Sequence, residues 1–262
     1  MNINTLRNFF AFLVVTSLLL VSCSASNELS PRLQEIKDSG QLVVGTALTQ
    51  PFEFRETDGG ELIGLDVDLA NAIAEKLDVE IVWKEMAFAD LIPALQNGDV
   101  DMVIAGMYIT DARKELVDMS DGYVDTGLSF VTRADDAFST TQELAGKTVC
   151  VKTGSTGATY AQKLIEEGIA LTMQEYADTP TSFEDLSAGV CHAVFNDNIN
   201  SLQYIKSHPD LKVASEILQP AQLGIAVQKG DAELLGLINS TIQEMKTNES
   251  LESLYVKWVL GK

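Results

Sequence analysis

The chain has 262 residues, enough for one or two domains that each bury a hydrophobic core of their own. It carries 38 acidic and 18 basic residues, a formal net charge of −20. No cluster of basic and aromatic side chains interrupts this acidic excess. Because such a surface repels phosphate backbones, the composition excludes nucleic acid as a partner.

The first 22 residues read as a signal peptide of the lipoprotein type. Arg7 precedes an apolar run of 13 residues, Phe9–Val21, whereas an uncharged membrane-spanning helix needs roughly 20 residues. The segment Leu20–Cys23 resembles a bacterial lipobox, which predicts Cys23 as the lipid-modified first residue of the mature protein. The alternative is an ordinary signal peptide with a chance cysteine. Either way the chain is exported, and with the anchor it lies on the outer face of the cytoplasmic membrane.

Residues 23–40 are expected to form a tether and a first helix. Two further cysteines, Cys150 and Cys191, form an even pair in an exported chain. Each lies in or beside a predicted strand, and neighbouring parallel strands would bring them together. A disulfide is the favoured interpretation, and two buried free thiols are the alternative.

From Gln41 onward, short β-rich runs alternate with helical patterns, which is typical of βαβ units and a largely parallel sheet. The clearest helix is 64–79, where apolar residues recur every four positions and Asp66 is placed to cap the start. Strands are predicted at 42–47, 79–84, 101–106, 129–133, 147–152, 192–197 and 223–228. Further helices are predicted at 88–98, 111–119, 157–168, 183–189, 198–207, 231–246 and 251–260.

Two extended stretches, 122–130 and 218–227, can carry the chain between two lobes. The second contains Pro220, which precludes a regular helix. If both connect the same lobes, the first lobe is discontinuous and consists of residues 41–124 and 224–262. The second lobe, with the hinges, is then the insertion 125–223.

The start of the helix near residue 111 holds an electrostatic oddity. Thr110 suits the N-cap position, and a Glu or Gln three residues later would complete a capping box. The sequence has Arg113 there instead. A cation in the first turn opposes the helix dipole by roughly 0.3–1 kcal/mol.

Known catalytic and metal-binding patterns are missing from the sequence. Residues 145–148 resemble the end of a phosphate-binding loop but lack its first glycine. Neither His192 nor His208 stands in a triad-like arrangement, and no metal-ligand spacing occurs. We therefore predict no catalytic residue, no metal and no cofactor.

Polar residues and glycines gather where predicted strands end, the edge at which open α/β sheets bind ligands. Gly106 and Tyr108 follow one strand, and Asn196 and Asp197 end another. Arg113 offers a planar fork for a carboxylate and Asp197 an acceptor for an ammonium group, a pair that fits a zwitterion. The alternatives are surface ion pairs for the arginine and simple helix capping for the aspartate.

The stretch Gly64–Leu77, "GLDVDLANAIAEKL", resembles the signature of bacterial solute-binding protein family 3, the polar amino-acid-binding proteins of ABC importers. Residues 88–107, 109–123, 144–156 and 249–259 are similar to further blocks of that family, in its order. The resemblance covers residues 42–258. It implies a two-lobed periplasmic-binding-protein fold of type II, α/β, with hinges near 123–127 and 219–223.

The resemblance also assigns roles within the cleft. It implies that Arg113 binds the α-carboxylate of an amino acid, helped by Gly106 and Thr156, and that Asp197 receives the α-ammonium. Phe88 would line the side-chain pocket, with Lys152 at a position that is often polar. Tyr108, Thr49 and Asn196 complete the predicted ligand-binding set. The cysteine positions are similar to those of family members with a disulfide in the second lobe.

The chain departs from the family pattern after the first strand. Where an acidic residue and an aromatic usually precede "PF", it has Ala47 followed by Leu48–Gln50, and Tyr108 replaces a small hydroxyl residue. The implied function is a monomeric substrate-binding lipoprotein that delivers an amino acid to an ABC permease. The alternatives are an exported dehydratase-like enzyme, with Lys152, Asp197 and Tyr108 as the available titratable groups, and a ligand sensor acting in trans.

Overall fold

The computed structural model describes residues 30–262, in which helices flank two mixed β-sheets. The signal peptide and Cys23 lie outside the described residues. Within 30–262 no helix combines the length and the apolar character needed to cross a bilayer. The strands are β1 Gln41–Thr46, β2 Glu80–Glu85, β3 Met102–Val103, β4 Asp118–Met119, β5 Val124–Arg133, β6 Thr148–Lys152, β7 Thr172–Tyr176, β8 Ala193–Asp197, β9 Leu211–Val213, β10 Gln219–Leu223 and β11 Ala226–Val227.

The helices follow the predicted pattern closely. They are α1 Pro31–Ser39, α2 Leu65–Leu77, α3 Leu91–Asn97, α4 Asp111–Leu116, α5 Thr156–Glu166, α6 Thr179–Ser187, α7 Asn198–Tyr204, α8 Ala232–Thr247 and α9 Ser250–Tyr255. Short 3-10 turns cover Phe88–Asp90 and Thr141–Leu144, and a π turn covers Val256–Leu260.

The first lobe is built on the sheet with strand order β2-β1-β3-β11-β4. Strand β1 lies parallel to β2 and β3, while β11 runs antiparallel to β3 and β4. Helices α2, α8 and α9 pack over the sheet and share one apolar core with it. The second lobe has the order β10-β5-β8-β6-β7, with β9 also paired to β5.

The two crossings between the lobes are hydrogen-bonded to each other. Strand β5 begins in one crossing and β10 forms the other, and they pair antiparallel from Val124 opposite Leu223 to Leu128 opposite Gln219. Pro220 lies opposite Gly127, whose missing side chain is required because a Cβ would stand 2.8 Å from the Gln219 carbonyl oxygen. The boundaries predicted for the lobes at 124 and 224 stay a prediction.

The predicted role of Asp66 as the cap of α2 is wrong. The N-cap is Gly64, at φ 137°, and no side chain caps the helix. A side chain at Gly64 would collide with the carbonyl oxygen of Phe52, 2.1 Å from the Cβ position. Asp66 lies inside the first turn, fully buried, and bonds to other segments. The N-cap prediction for Thr110 is confirmed, since its hydroxyl accepts the Arg113 N–H at 3.2 Å.

Four short strands escaped the sequence prediction: β4, β7, β9 and β10. Strand β7 is a polar edge strand whose side chains are largely exposed, so it lacks the apolar alternation that marks a strand. Strand β3 is shorter than the predicted 101–106, because the chain turns away after Val103 to form the edge of the cleft.

Cys150 and Cys191 form the predicted disulfide, which excludes the alternative of two free thiols. Their Cα atoms lie 6.0 Å apart, and both residues are fully buried. Strand β6, which carries Cys150, lies parallel to β8, which begins two residues after Cys191. The bond therefore closes a loop that contains α5, β7 and α6.

Replacing both cysteines with alanine should lower the free energy of unfolding by about 4 kcal/mol in the chain-entropy model for a loop of roughly 40 residues. Urea titration followed by circular dichroism would measure the change. A loss of less than 1 kcal/mol would show that the bond adds little to the stability of the second lobe.

Candidate ligand-binding site between the lobes

A partly open cavity of about 40 Å³ lies between the two lobes. It is lined by all nine residues that the sequence assigns to ligand binding: Thr49, Phe88, Gly106, Tyr108, Arg113, Lys152, Thr156, Asn196 and Asp197. Five further residues that the sequence analysis did not select also line it: Phe52, Ala105, Leu128, Ser155 and Gly157. All five are uncharged, and four of them are apolar or lack a polar side chain. Nothing in the sequence therefore distinguishes them from ordinary core or loop residues.

Arg113 is a buried cation that forms no ion pair among the described residues. Its side chain is 8% exposed. The guanidinium donates to two carbonyl oxygens, that of Tyr108 at 2.8 Å and that of Gly154 at 3.3 Å. Burial lowers its pKa to about 10. The alternative of surface ion pairs is therefore wrong: the guanidinium faces the cleft, and no carboxylate of residues 30–262 lies within ion-pair distance of it.

Asp197 faces the cavity from the second lobe and is held by three hydrogen bonds. Its Oδ2 accepts from the Tyr108 hydroxyl at 2.7 Å and from the Thr126 hydroxyl at 2.6 Å. Its Oδ1 accepts the Asn200 N–H at 2.9 Å, so the residue is also the N-cap of α7. Burial raises the pKa of the carboxyl. An ionised carboxylate has about four acceptor positions, so one remains for a further donor.

The loop after β3 is held in place from behind by Asp66. Gly106 has φ 54°, and a Cβ there would come within 2.9 Å of the Phe52 ring. Its N–H donates to Asp66 Oδ2 at 2.8 Å, and the Tyr123 hydroxyl donates to Oδ1 at 2.8 Å. Burial raises the pKa of Asp66 to about 6. The buried carboxylate thus fixes the backbone that carries Tyr108 and leads to Arg113.

The loop after β6 approaches the first lobe closely. Gly154 has φ 73°, and a Cβ there would be 3.1 Å from Ala89. Ser155 caps α5 by accepting the Ala158 N–H at 3.2 Å. Thr156 is the first residue of this helix of 11 residues, so the positive end of the helix dipole points at the cavity.

Phe88 is flanked by two cations. The Arg113 Cζ lies 5.3 Å from the centre of its ring, and the Lys152 Nζ lies 4.5 Å from it. The only hydrogen bond of this ammonium among the described residues is a long one, 3.4 Å to the Thr49 hydroxyl. Burial, and to a lesser extent the charge of Arg113, lowers the pKa of Lys152 to about 8, against the opposing effect of Glu53.

Sequence reasoning missed two polar residues behind the cavity, Glu53 and Thr126. Glu53 is fully buried, and neither of its carboxylate oxygens has a hydrogen-bond partner in residues 30–262. Burial, with a smaller contribution from Asp66, raises its pKa well above the ordinary range. The "PFEF" stretch gave no sign that this acid points inward.

Asn196 acts on the site through α7. Its side-chain amide donates to Asn200 Oδ1 at 2.6 Å and to the Ser201 hydroxyl at 3.1 Å. Asn200 in turn donates to the Gln50 carbonyl oxygen in the first lobe. Together with the Tyr108–Asp197, Arg113–Gly154 and Lys152–Thr49 contacts, this bond shows that the lobes are closed on the cavity.

Residues 42–261 match the family model of the bacterial extracellular solute-binding proteins, family 3. The chain belongs to this family. Its solved neighbours are type II periplasmic binding proteins, which confirms the predicted fold. Within residues 30–262, no group of three or more histidine, cysteine, aspartate or glutamate side chains is placed to hold a metal ion.

Relatives of this family member bind different amino acids. The L-cystine-binding protein TcyJ of Escherichia coli K12 is 31% identical over 230 residues, 86% of this chain and 85% of that protein. The arginine-binding extracellular protein ArtP of Bacillus subtilis 168 is 32% identical over 249 residues, 93% of each chain. A crystal structure of a mutant of ArgBP from T. maritima has a TM-score of 0.82 and 37% identity, and covers 87% of this chain and 98% of its own.

Lys152 should make the free energy of unfolding of this solute-binding protein vary with pH in the alkaline range. Since burial depresses its pKa to about 8, the charged form is disfavoured in the folded protein. Below that pH the folded state bears the cost of the buried charge, and the free energy of unfolding should rise as the pH increases from about 8 to the ordinary lysine value near 10.4. Urea titrations of the wild type and Lys152→Met across this range would test it, because the difference between them isolates this group. A difference that is independent of pH would contradict the prediction.

Tyr108→Phe should shift the unliganded protein toward an open form. The phenol bonds to a charged group across the cleft, and such a bond contributes about 1.5–3 kcal/mol. Since each 1.4 kcal/mol is a tenfold change in an equilibrium constant, the radius of gyration in small-angle X-ray scattering should increase.

Tyr160→Phe is the matched control for this change. The Tyr160 side chain packs on Phe195 within the second lobe, and its hydroxyl forms no hydrogen bond among the described residues. An equal radius of gyration in Tyr108→Phe and Tyr160→Phe would show that the phenol does not hold the lobes together.

Proposed function

We propose that this protein captures an amino acid in the cleft between its lobes and delivers it to the membrane subunit of an ABC transporter. The observation that carries the proposal is Arg113, a buried guanidinium with no carboxylate partner among residues 30–262. An uncompensated buried charge is costly, and a ligand carboxylate is the partner that its planar donor fork matches.

The α-carboxylate of the ligand would meet two positive features on opposite lobes. Arg113 supplies charged donors from the first lobe, and the N-terminus of α5, at Ser155–Gly157, supplies backbone N–H groups from the second. Helix N-termini favour anions because their first N–H groups have no partner within the helix. The carboxylate therefore bridges the lobes, and only the closed form makes both contacts.

The α-ammonium of the ligand would bind at Asp197. The three hydrogen bonds that this carboxylate accepts fix its orientation and leave one acceptor position. The separation of charge, with Arg113 on one side and Asp197 on the other, distinguishes an amino acid from a simple carboxylic acid. The relatives whose names specify cystine and arginine support an amino acid as the ligand.

We infer that ligand binding and lobe closure are one process. Contacts from both lobes are available only when the cleft is shut, so the ligand stabilises the closed form by the free energy of those contacts. The closed form is then the state that docks on a permease. Export by residues 1–22 and a lipid on Cys23 would hold the protein on the outer face of the cytoplasmic membrane.

We propose a binding protein and not an enzyme. Neither His192 nor His208 lines the cavity. Burial and the charge of Asp197 raise the pKa of Tyr108, so its phenol remains a hydrogen-bond donor and does not become a base. The family and the relatives described above are binding proteins.

Arg113→Ala should weaken the binding of an amino-acid ligand at least 100-fold, because a charged bidentate contact is lost. The free energy of unfolding without ligand should stay nearly unchanged, because the loss of the two hydrogen bonds to carbonyl oxygens is offset by the removal of a buried charge that has no ion pair. Isothermal titration calorimetry against the common amino acids would first identify a ligand and then measure the loss.

Lys114→Ala is the matched control, since Lys114 is the next residue of the same helix and is exposed. Equal affinity in the Arg113 variant and this control would remove the arginine from the site. Binding of none of the amino acids by the wild type would contradict the proposed function itself.

A further inference from the structure

A second cavity, of about 370 Å³, opens beside the ligand site. Phe88 and Lys152 line both cavities, so the two cavities are adjacent at these side chains. The space of the second cavity is left free because the side chains that follow β1 are either small or directed toward solvent. Ala47 ends at its methyl group, and Leu48 points to solvent with 46% of its surface exposed.

The charges around this second cavity are of both signs. Lys152 lies at its inner end, with three donors on the ammonium and only the 3.4 Å contact to Thr49 among the described residues. Asp178 and Glu85, both exposed, also line it. Glu85 forms an ion pair with Arg55. Asp178 caps α6 with one oxygen, which accepts the Thr181 N–H at 2.8 Å, and its other oxygen accepts no hydrogen bond from residues 30–262.

This pattern repeats that of the first site: a cation with unused donors and a helix-capping aspartate with a free acceptor position. In the first site the pair is Arg113 and Asp197, and in the second it is Lys152 and Asp178. Since Phe88 lies against both cations, the two pairs are adjacent. A ligand that extends past this ring meets a second carboxylate-binding and ammonium-binding pair.

We propose that the second cavity is a subsite for the far end of a ligand with two amino-acid ends. The near end binds Arg113 and Asp197, which rests on the proposed function. The far carboxylate binds Lys152 and the far ammonium binds Asp178, with the connecting chain passing Phe88. A single cationic side chain would bring its charge past Lys152 and leave that ammonium without a partner.

Calorimetric titration with four probes tests the subsite: L-cystathionine, which has two amino-acid ends; S-(3-carboxypropyl)-L-cysteine, which lacks only the far ammonium; L-methionine, which has a single end; and L-arginine. We expect L-cystathionine to bind at least tenfold more tightly than L-methionine and L-arginine, with S-(3-carboxypropyl)-L-cysteine between these limits.

Variants assign the contacts. Asp178→Asn keeps a residue that caps helices well and removes the charge, so it should lower the affinity for L-cystathionine about fivefold to tenfold and leave that for S-(3-carboxypropyl)-L-cysteine unchanged. Ala177→Trp, which fills the second cavity from an exposed position, should abolish the advantage of L-cystathionine over L-methionine. Ala188→Trp, also exposed but at the other end of α6, is its control and should change neither affinity.

The outcomes separate the subsite from the proposed function. If L-methionine or another single-ended amino acid binds and L-cystathionine binds no more tightly, the subsite is wrong and amino-acid capture stands. Tighter binding of L-arginine than of L-cystathionine likewise overturns the subsite. If neither the double-ended probe nor any single-ended amino acid binds, the proposed function fails as well.

Discussion

The geometry of the cleft depends on the buried carboxylate of Asp66. It accepts the Gly106 N–H with one oxygen and the Tyr123 hydroxyl with the other. These bonds join three parts of the chain: the start of α2, the loop that carries Tyr108, and Tyr123, which immediately precedes the crossing strand β5. Removing either donor would leave a buried acceptor unsatisfied, at a cost of about 1–3 kcal/mol. The ligand-binding loop and the hinge therefore share one internal anchor.

The cleft of this acidic molecule contains two cations. The chain has a formal net charge of −20, yet two of its cations, Arg113 and Lys152, flank one phenyl ring in the cavity wall. Their pKa values are lowered by burial, so the closed protein without ligand pays for holding them there. An anionic group relieves that cost. The preference for a carboxylate that we propose would thus arise from the desolvation of these cations and not from the overall charge.

Part of the site was predictable from local signals, and Phe88, Lys152 and Thr156 were predictable only from the family resemblance. Thr110 and Arg113 are three residues apart, and the strands before Gly106 and Asp197 are strongly apolar, so their ends stand out in the sequence. The inward position of Glu53 and the bond from Thr126 to Asp197 depend on how distant segments pack, and no local pattern records them. Asp66 was misassigned because a carboxylate in a first helical turn looks the same whether it caps its own helix or accepts donors from elsewhere.

The parts of the fold that the sequence does not predict also depend on contacts between distant segments. Pro220 showed that 218–227 is no helix, but its pairing with Gly127 depends on two segments almost a hundred positions apart. Strand β7 is exposed at a sheet edge and is recognised only by its neighbour β6. Position 47 was noted as a departure from the family pattern, and only the packing around Ala47 and Leu48 shows that the departure opens a cavity.

The pairing of the two crossings has a mechanical consequence. Strands β5 and β10 are hydrogen-bonded along five residue pairs, from Val124–Leu223 to Leu128–Gln219. Neither strand can bend alone without breaking that ladder. Any rotation of one lobe relative to the other therefore has to be shared by both strands. A rotation of the lobes shared in this way would be distributed over ten residues as a change in twist, with a small contribution from each peptide unit. The stiffness of such a two-stranded connection is a property of the paired ribbon as a whole and not of any single residue.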